Sequence, residues 1–204
     1  MSATRPAAVV VLAAGEGTRM KSATPKVLHA MCGRSMVGHV VAASRALDPE
    51  HLIVVVGHGR DQVAAHLAEV DPDVRVVVQE EQNGTGHAVR VVLEAVGELA
   101  GTVLVNCGDT PLLTADTLAG LIEAHAHGGN AATALTAHLP DPTGYGRIIR
   151  DGEGRVSGIV EEKDATPDQR AFTEINSGVY AFDGKLLQEA IGRLSTDNSQ
   201  GWQQ

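Results

Sequence analysis

Two rhythms of apolar and polar positions run along the chain. Four stretches are apolar at nearly every position: AVVVLAA (8–14), HLIVVVG (51–57), VRVVVQ (74–79) and GTVLVNC (101–107). A strand apolar on both faces belongs inside a parallel sheet covered by helices. Between them, residues 35–47, 60–70 and 85–99 carry amphipathic, helix-like patterns. The order βαβαβαβ predicts a Rossmann-like, doubly wound α/β sheet. After residue 130 the rhythm changes. ATALTAHL (132–139) reads as a strand, 141–164 as turns and a hairpin, 172–183 as another strand, and 184–194 as a closing helix. No repeat, low-complexity tract or linker intervenes, so one domain is expected whose second half decorates the sheet.

Ligands of open α/β sheets bind beyond the C-terminal ends of the strands. Three loops fall there: Gly15–Lys26 after the first strand, Gln79–His87 after the third, and Gly108–Pro111 after the fourth. The first, GEGTRMKSATPK, lacks the GxxxxGK[ST] of a Walker loop. It is not a dinucleotide fingerprint either, because Met20 stands where GxGxxG needs its third glycine, and no acidic residue ends the second strand. What remains is GxGTRM followed by Pro25-Lys26. The glycines let backbone N–H groups approach phosphate oxygens. Arg19 offers a planar fork, Lys26 a point charge, and Pro25 stiffens the approach.

In the second loop, Gly84-Thr85-Gly86 opens a helix whose N-terminus attracts anions or polar ligands, and the Gln79 amide can both donate and accept. An ordinary helix start is the alternative for this segment, and packing or surface exposure the alternative for His87. In the third loop, Asp109 follows a buried apolar strand and must be paired, hydrogen-bonded or metal-bound. A hard cation such as Mg²⁺ takes one or two carboxylates plus substrate phosphates. The competing role for Asp109 is a cap before the next helix. In the second half, GYGRI (144–148), IVEEKDA (159–165) and EINSGVYAF (174–182) place polar or glycine steps inside strand-like runs.

Composition narrows the picture. The chain has 204 residues and a net charge of −9, which argues against nucleic acid as a partner. Hydrophobic residues make up 43% and aromatics 2%, so the core must be mostly Val, Leu, Ala and Ile. Of the four lysines, Lys21 and Lys26 lie in the first loop, where an acidic protein would concentrate cations for an anion. Cys32 and Cys107 are far apart and form no CxxC, as expected of reduced thiols. No apolar run approaches the roughly 18 residues of a membrane span. The N-terminal run leads straight into the glycine loop and reads as a strand, so a cytoplasmic protein is expected. Neither HExxH nor GxSxG occurs.

LAAGEGTRMKSATPKVLH, QNGTGHA, GDTPLL, DPTGYGRI, IVEEKDAT and EINSGVYAF occur in this order. The chain closely resembles the uridylyltransferase domain of the bacterial bifunctional N-acetylglucosamine-1-phosphate uridylyltransferase/glucosamine-1-phosphate acetyltransferase family, over about residues 7 to 200. The first loop is shared by sugar nucleotidyltransferases generally, and the TGYGRI…IVE…EINSG series narrows the match. The resemblance implies a mainly parallel, mixed sheet of the nucleotide-diphospho-sugar transferase type. It implies that UTP and N-acetylglucosamine 1-phosphate give UDP-N-acetylglucosamine and pyrophosphate with Mg²⁺, for cell-envelope precursor synthesis. By position, Leu12, Ala13, Ala14 and Gly15 would wrap the nucleotide, and Gln79, Gly84 and Thr85 would read uracil. Arg19 and Lys26 would act on the phosphates. Asp109 would bind the metal beside Cys107 and Gly108. Gly146, Glu161 and Asn176 would hold the N-acetyl sugar.

The family continues with the rest of the transferase domain and a trimerising left-handed β-helix that carries the acetyltransferase. The 204 residues are therefore expected to be a C-terminally incomplete uridylyltransferase domain without that β-helix. Near its end the family usually reads NSQGE-x-YLTD, whereas this chain reads NSQGWQQ, diverging at Trp202-Gln203-Gln204. Three further readings stand beside the first. They are a transferase for another sugar 1-phosphate or nucleotide, a silent UTP-binding module, and a nicotinamide-dependent oxidoreductase, against which Met20 counts.

Overall fold

The computed structural model describes residues 5–17 and 20–193. Arg19 and the divergent end therefore lie outside the described residues. The chain divides into two compact units, residues 1–133 with 180–204, and residues 134–179.

The first unit is built on parallel strands. β1 (Ala8–Ala13) lies between β4 (His51–Val56) and β6 (Thr102–Cys107), and β5 (Arg75–Val78) pairs with the outer side of β4. Tyr180–Asp183, the end of β10 (Glu174–Asp183), run antiparallel to β6. The sheet is thus mixed but mainly parallel. Val9, Val10, Val11, Ile53, Val54 and Val55 are each wholly buried, which is why these strands read as continuous apolar runs. Helices cover both faces. α3 (Thr85–Val96) and α6 (Gly184–Ile191) pack Ala88, Val89, Val92, Leu187 and Ile191 against Val10, Val55, Val103 and Val105. The alternate side chains of β1 and β6 point to the opposite face, which meets α1 (Met36–Arg45) and α4 (Ala115–Gly128). There Asn106 of β6 donates to Ser44 Oγ of α1 at 3.3 Å, both residues buried. α2 (Arg60–Val70) packs on β4.

Three short elements in the described residues escaped the sequence pattern. A 3-10 turn spans Lys26–Leu28. A two-stranded hairpin joins β2 (Ala30–Met31) to β3 (Arg34–Ser35) through Cys32 (φ 52°) and Gly33 (φ 83°). Positive φ at both central residues is the turn geometry that matches strand twist. The third is α5 (Pro167–Arg170), closed by a capping box between Thr166 and Gln169.

The second unit is antiparallel. β8 (Arg147–Arg150) and β9 (Val156–Val160) form the expected hairpin. Within residues 134–179, β10 pairs β8 on one side, with Ile175 opposite Arg147, and β7 (Ala132–His138) on the other.

Candidate active site

The order β5-β4-β1-β6 reverses direction at β1: successive connections run outward through β4 and β5, then return to the other side of β1 at β6. Ligands of doubly wound sheets bind at such a switch point. A cavity of about 390 Å³ opens there. All three predicted loops line it, through Leu12, Ala13, Ala14, Gly15, Gly17 and Lys26, then Gln79, Gln82, Gly84 and Thr85, then Cys107 and Asp109. Every described nucleotide-side candidate from the sequence is on this wall except Gly108. Gly108 instead ties the strand ends together, its N–H donating to Leu12 O at 2.8 Å. A Cβ on it would lie 3.2 Å from Leu12 O and Ala13 Cβ, so glycine keeps β1 and β6 close at the cavity floor.

The first loop is shaped by two close approaches. Gly17 has φ +60°, and a Cβ there would lie 2.6 Å from Lys26 Cβ. Gly59, φ +65°, makes room for the Pro25 ring in the same way. Pro25 then starts the 3-10 turn, and Lys26 extends across the cavity until its Nζ donates to Asp109 Oδ2. Asp109 is therefore paired, as burial demands. It is not a helix cap: Thr114 caps α4 by accepting from Thr117 N at 3.2 Å.

At the second loop, α3 starts from Gly84 at φ 94° without a side-chain cap, so its first turn carries N–H groups that no capping side chain satisfies, and Gly84 and Thr85 line the cavity. Gln79 is 4% exposed. Its Nε2 donates to Gly84 O at 3.2 Å and faces His87 Nδ1 at 3.0 Å. Since that nitrogen is a donor, His87 Nδ1 is its acceptor. The Gln79 carbonyl is left as the group able to accept from a ligand. His87, read from the sequence as a packing or surface residue, thus holds the amide in orientation. Val27 and Ala88 also line the cavity. Neither carries a polar signal that sequence reading could have used.

Cys107 forms no disulfide. Burial pushes its thiol up to about 11, the Asp109 carboxylate adds to the rise, and Lys26 pulls the other way. It stays neutral at physiological pH and serves as a wall, not a nucleophile.

Among the described residues no three His, Cys, Asp or Glu side chains gather to hold a metal. Among the described residues Asp109 is the one carboxylate on the cavity wall, with its side chain 33% exposed. One carboxylate on the wall of such a cavity suits a hard cation that completes its shell with substrate oxygens and water.

In the second unit the three sugar candidates meet. A Cβ on Gly146 would lie 2.8 Å from Glu161 Oε1, so the Glu161 carboxylate rests against the backbone at Gly146. The Asn176 N–H donates to Gly146 O at 2.9 Å. Asn176 Oδ1 accepts from Gly178 N at 3.0 Å.

A doubly wound sheet with an anion-suited loop at its switch point defines a nucleotide-binding α/β protein. The family model of the MobA-like NTP transferase domain matches residues 9–161, and the chain belongs to that family. Enzymes of this nucleotidyltransferase class generally use a divalent metal. The chain is 68% identical over 203 residues to the Bifunctional protein GlmU of Streptomyces avermitilis, covering 98% of this chain and 42% of the relative. It is 60% identical over 205 residues to that of Thermobifida fusca, and 51% over 198 residues to that of Corynebacterium efficiens. The chain thus spans about two-fifths of the length of the curated relatives it matches. Among the described residues no helix is long and apolar enough to cross a membrane.

Proposed function

We propose that the chain is a uridylyltransferase acting in the cytoplasm, making UDP-N-acetylglucosamine and pyrophosphate from UTP and N-acetylglucosamine 1-phosphate with Mg²⁺. The observation that carries this reading is the convergence of the three loops, with Lys26 and Asp109, on one cavity at the switch point. The ordered motifs shared with the uridylyltransferase domain supply the choice of sugar and base.

A sugar-phosphate oxygen attacks the α-phosphorus of UTP in line. The new P–O bond forms as the bond to the β-phosphate oxygen breaks, and pyrophosphate departs with the electron pair. The attacking phosphate is already an anion, so no general base is required. Both substrates are anions, and the residues must offset their repulsion and hold them in line. Lys26 exchanges Asp109 for a phosphate oxygen, and Arg19 supplies the planar fork. Gln79 and the N–H groups that open α3 face the base, with Leu12–Gly15 as the strand-end wall beneath it. Asp109 would hold Mg²⁺, which supplies Lewis-acid charge where the phosphoryl oxygens gain it. The neutral thiol of Cys107 fits direct transfer without a covalent enzyme intermediate. Gly146, Glu161 and Asn176 hold the N-acetyl sugar. Residues 1–204 belong to one nucleotidyltransferase domain of which they are the N-terminal part.

The test is pyrophosphate release from UTP, N-acetylglucosamine 1-phosphate and Mg²⁺, compared across the common nucleoside triphosphates and sugar phosphates. The expected result is release specific to UTP and the N-acetyl sugar, reduced about a hundredfold or more in Arg19→Ala. Release with another pair reassigns the substrates, and UTP binding without release identifies a silent binding module.

A further inference from the structure

We infer that Arg147 is a positioning residue for the sugar phosphate, holding Gly146, Glu161 and Asn176 in register without touching the substrate. This rests on the proposed reaction and on the sugar-holding roles proposed there for Gly146, Glu161 and Asn176.

Arg147 is the largest of the fully buried side chains, at 1% exposure. Its Nη2 pairs with Glu162 Oε2 at 2.8 Å and donates to Arg170 O at 3.3 Å, and its Nη1 donates to Tyr145 O. Its buried Nε has no partner. A buried ion pair with a donor left over is a poor way to gain stability, since an apolar side chain of similar volume would do as well or better.

What the guanidinium does provide is position. Tyr145 and Arg147 flank Gly146, so the bond to Tyr145 O fixes the peptides on both sides of that glycine. Glu162 follows Glu161, and its Oε2 also accepts from Gly144 N at 3.3 Å, across a turn where Gly144 has φ +86°. Ile175 sits opposite Arg147 in the sheet and precedes Asn176. One planar group therefore ties together the chain neighbours of all three candidates. A point charge cannot copy that fork.

The test is titration of the parent chain, Arg147→Met, Arg147→Lys and Glu162→Gln with UTP, and with N-acetylglucosamine 1-phosphate in the presence of an α,β-methylene UTP analogue. Thermal unfolding is followed alongside. Arg147→Met should weaken sugar-phosphate binding about tenfold to a hundredfold, as expected for a small misplacement of binding groups. UTP affinity should stay within about twofold, and Arg147→Lys should recover only part of the loss. If Arg147→Met does not fold, Glu162→Gln decides, since it keeps the size and an acceptor oxygen. Folded variants that bind the sugar phosphate as the parent does overturn the inference alone. A parent chain that binds UTP and ignores the sugar phosphate overturns the proposed reaction, and this inference with it.

Discussion

Lys26 and Asp109 pair across the cavity through one contact, which leaves the lysine further donors and the carboxylate its second oxygen for a ligand. Lys26→Met keeps the stem that packs under Gly17 and removes the charge. It should lower UTP affinity about tenfold or more, as loss of a charge-assisted phosphate contact does, and calorimetric titration reads this directly. Gly17→Ala acts on the same lysine by another route. At φ +60° and with Lys26 Cβ 2.6 Å away, a methyl group must displace the side chain, so UTP binding should weaken although no charge changes. Cys107 offers a third check. With its thiol pushed up to about 11, it should resist iodoacetamide at pH 7.5 while the exposed Cys32 reacts, read by mass spectrometry of the two peptides. At this scale, legibility followed charge placed at strand ends. Asp109 announces itself because a charged residue just after a buried strand needs a reason, and Lys26 because it follows Gly-x-Gly and Pro25 in the loop beyond β1. His87 and Arg147 do not, because their roles come from partners 8 and 15 residues away in sequence or more, Gln79 and Glu162. Nothing in GHA or GRI carries that information.

Glu174 joins three strands of the second unit. Its carboxylate accepts from Arg150 at 2.6 and 2.8 Å and from Thr136 Oγ1 at 2.8 Å. Hydrogen bonds from Arg150, with Thr136 and the charges of Arg150 and His138 adding, hold it well below its usual value, at about 2, against an opposing cost of burial. A depressed carboxylate favours the folded state above its unfolded value, and that contribution fades as pH falls toward the folded value. The chain should therefore lose stability between about pH 4.5 and 2, and Glu174→Gln should flatten that part of the profile while lowering stability at neutral pH. Melting temperatures at pH 6, 4 and 3 check both. Long elements were legible because their periodicity repeats: α2 falls on residues 60–70 as the pattern predicts, and the β8–β9 hairpin closes through Asp151-Gly152-Glu153-Gly154-Arg155. The 3-10 turn, the strands β2 and β3 and the helix α5 are two to four residues each. They are too short to show a period, and they form because Pro25, Cys32-Gly33 and the Thr166 capping box fix the local backbone.

Strand order is the feature of the whole molecule that hydrophobic pattern alone cannot give, because β1, β4 and β6 read alike as buried apolar runs. The crossovers from β1 to β4 and from β4 to β5 each reach a neighbour, whereas the one from β5 passes back to the free side of β1 at β6. β1 then lies between β4 and β6, and the reversal of direction opens the cavity at their C-terminal ends. The sequence could place three loops at one edge of a sheet, but only this order brings Leu12 beside Cys107 in register and Lys26 within reach of Asp109. The sugar candidates lie in residues 134–179, a separate compact unit, so the two substrates should leave separate footprints. Hydrogen exchange makes that visible across the chain. UTP should protect amides in 12–27, 79–88 and 107–109, where the cavity wall is built. N-acetylglucosamine 1-phosphate, added with the α,β-methylene analogue, should extend protection to 144–148, 159–165 and 174–178. Protection by UTP centred in 134–179 would show that the nucleotide does not use the switch point. A sugar phosphate that protects only the first unit would remove Gly146, Glu161 and Asn176 from the site.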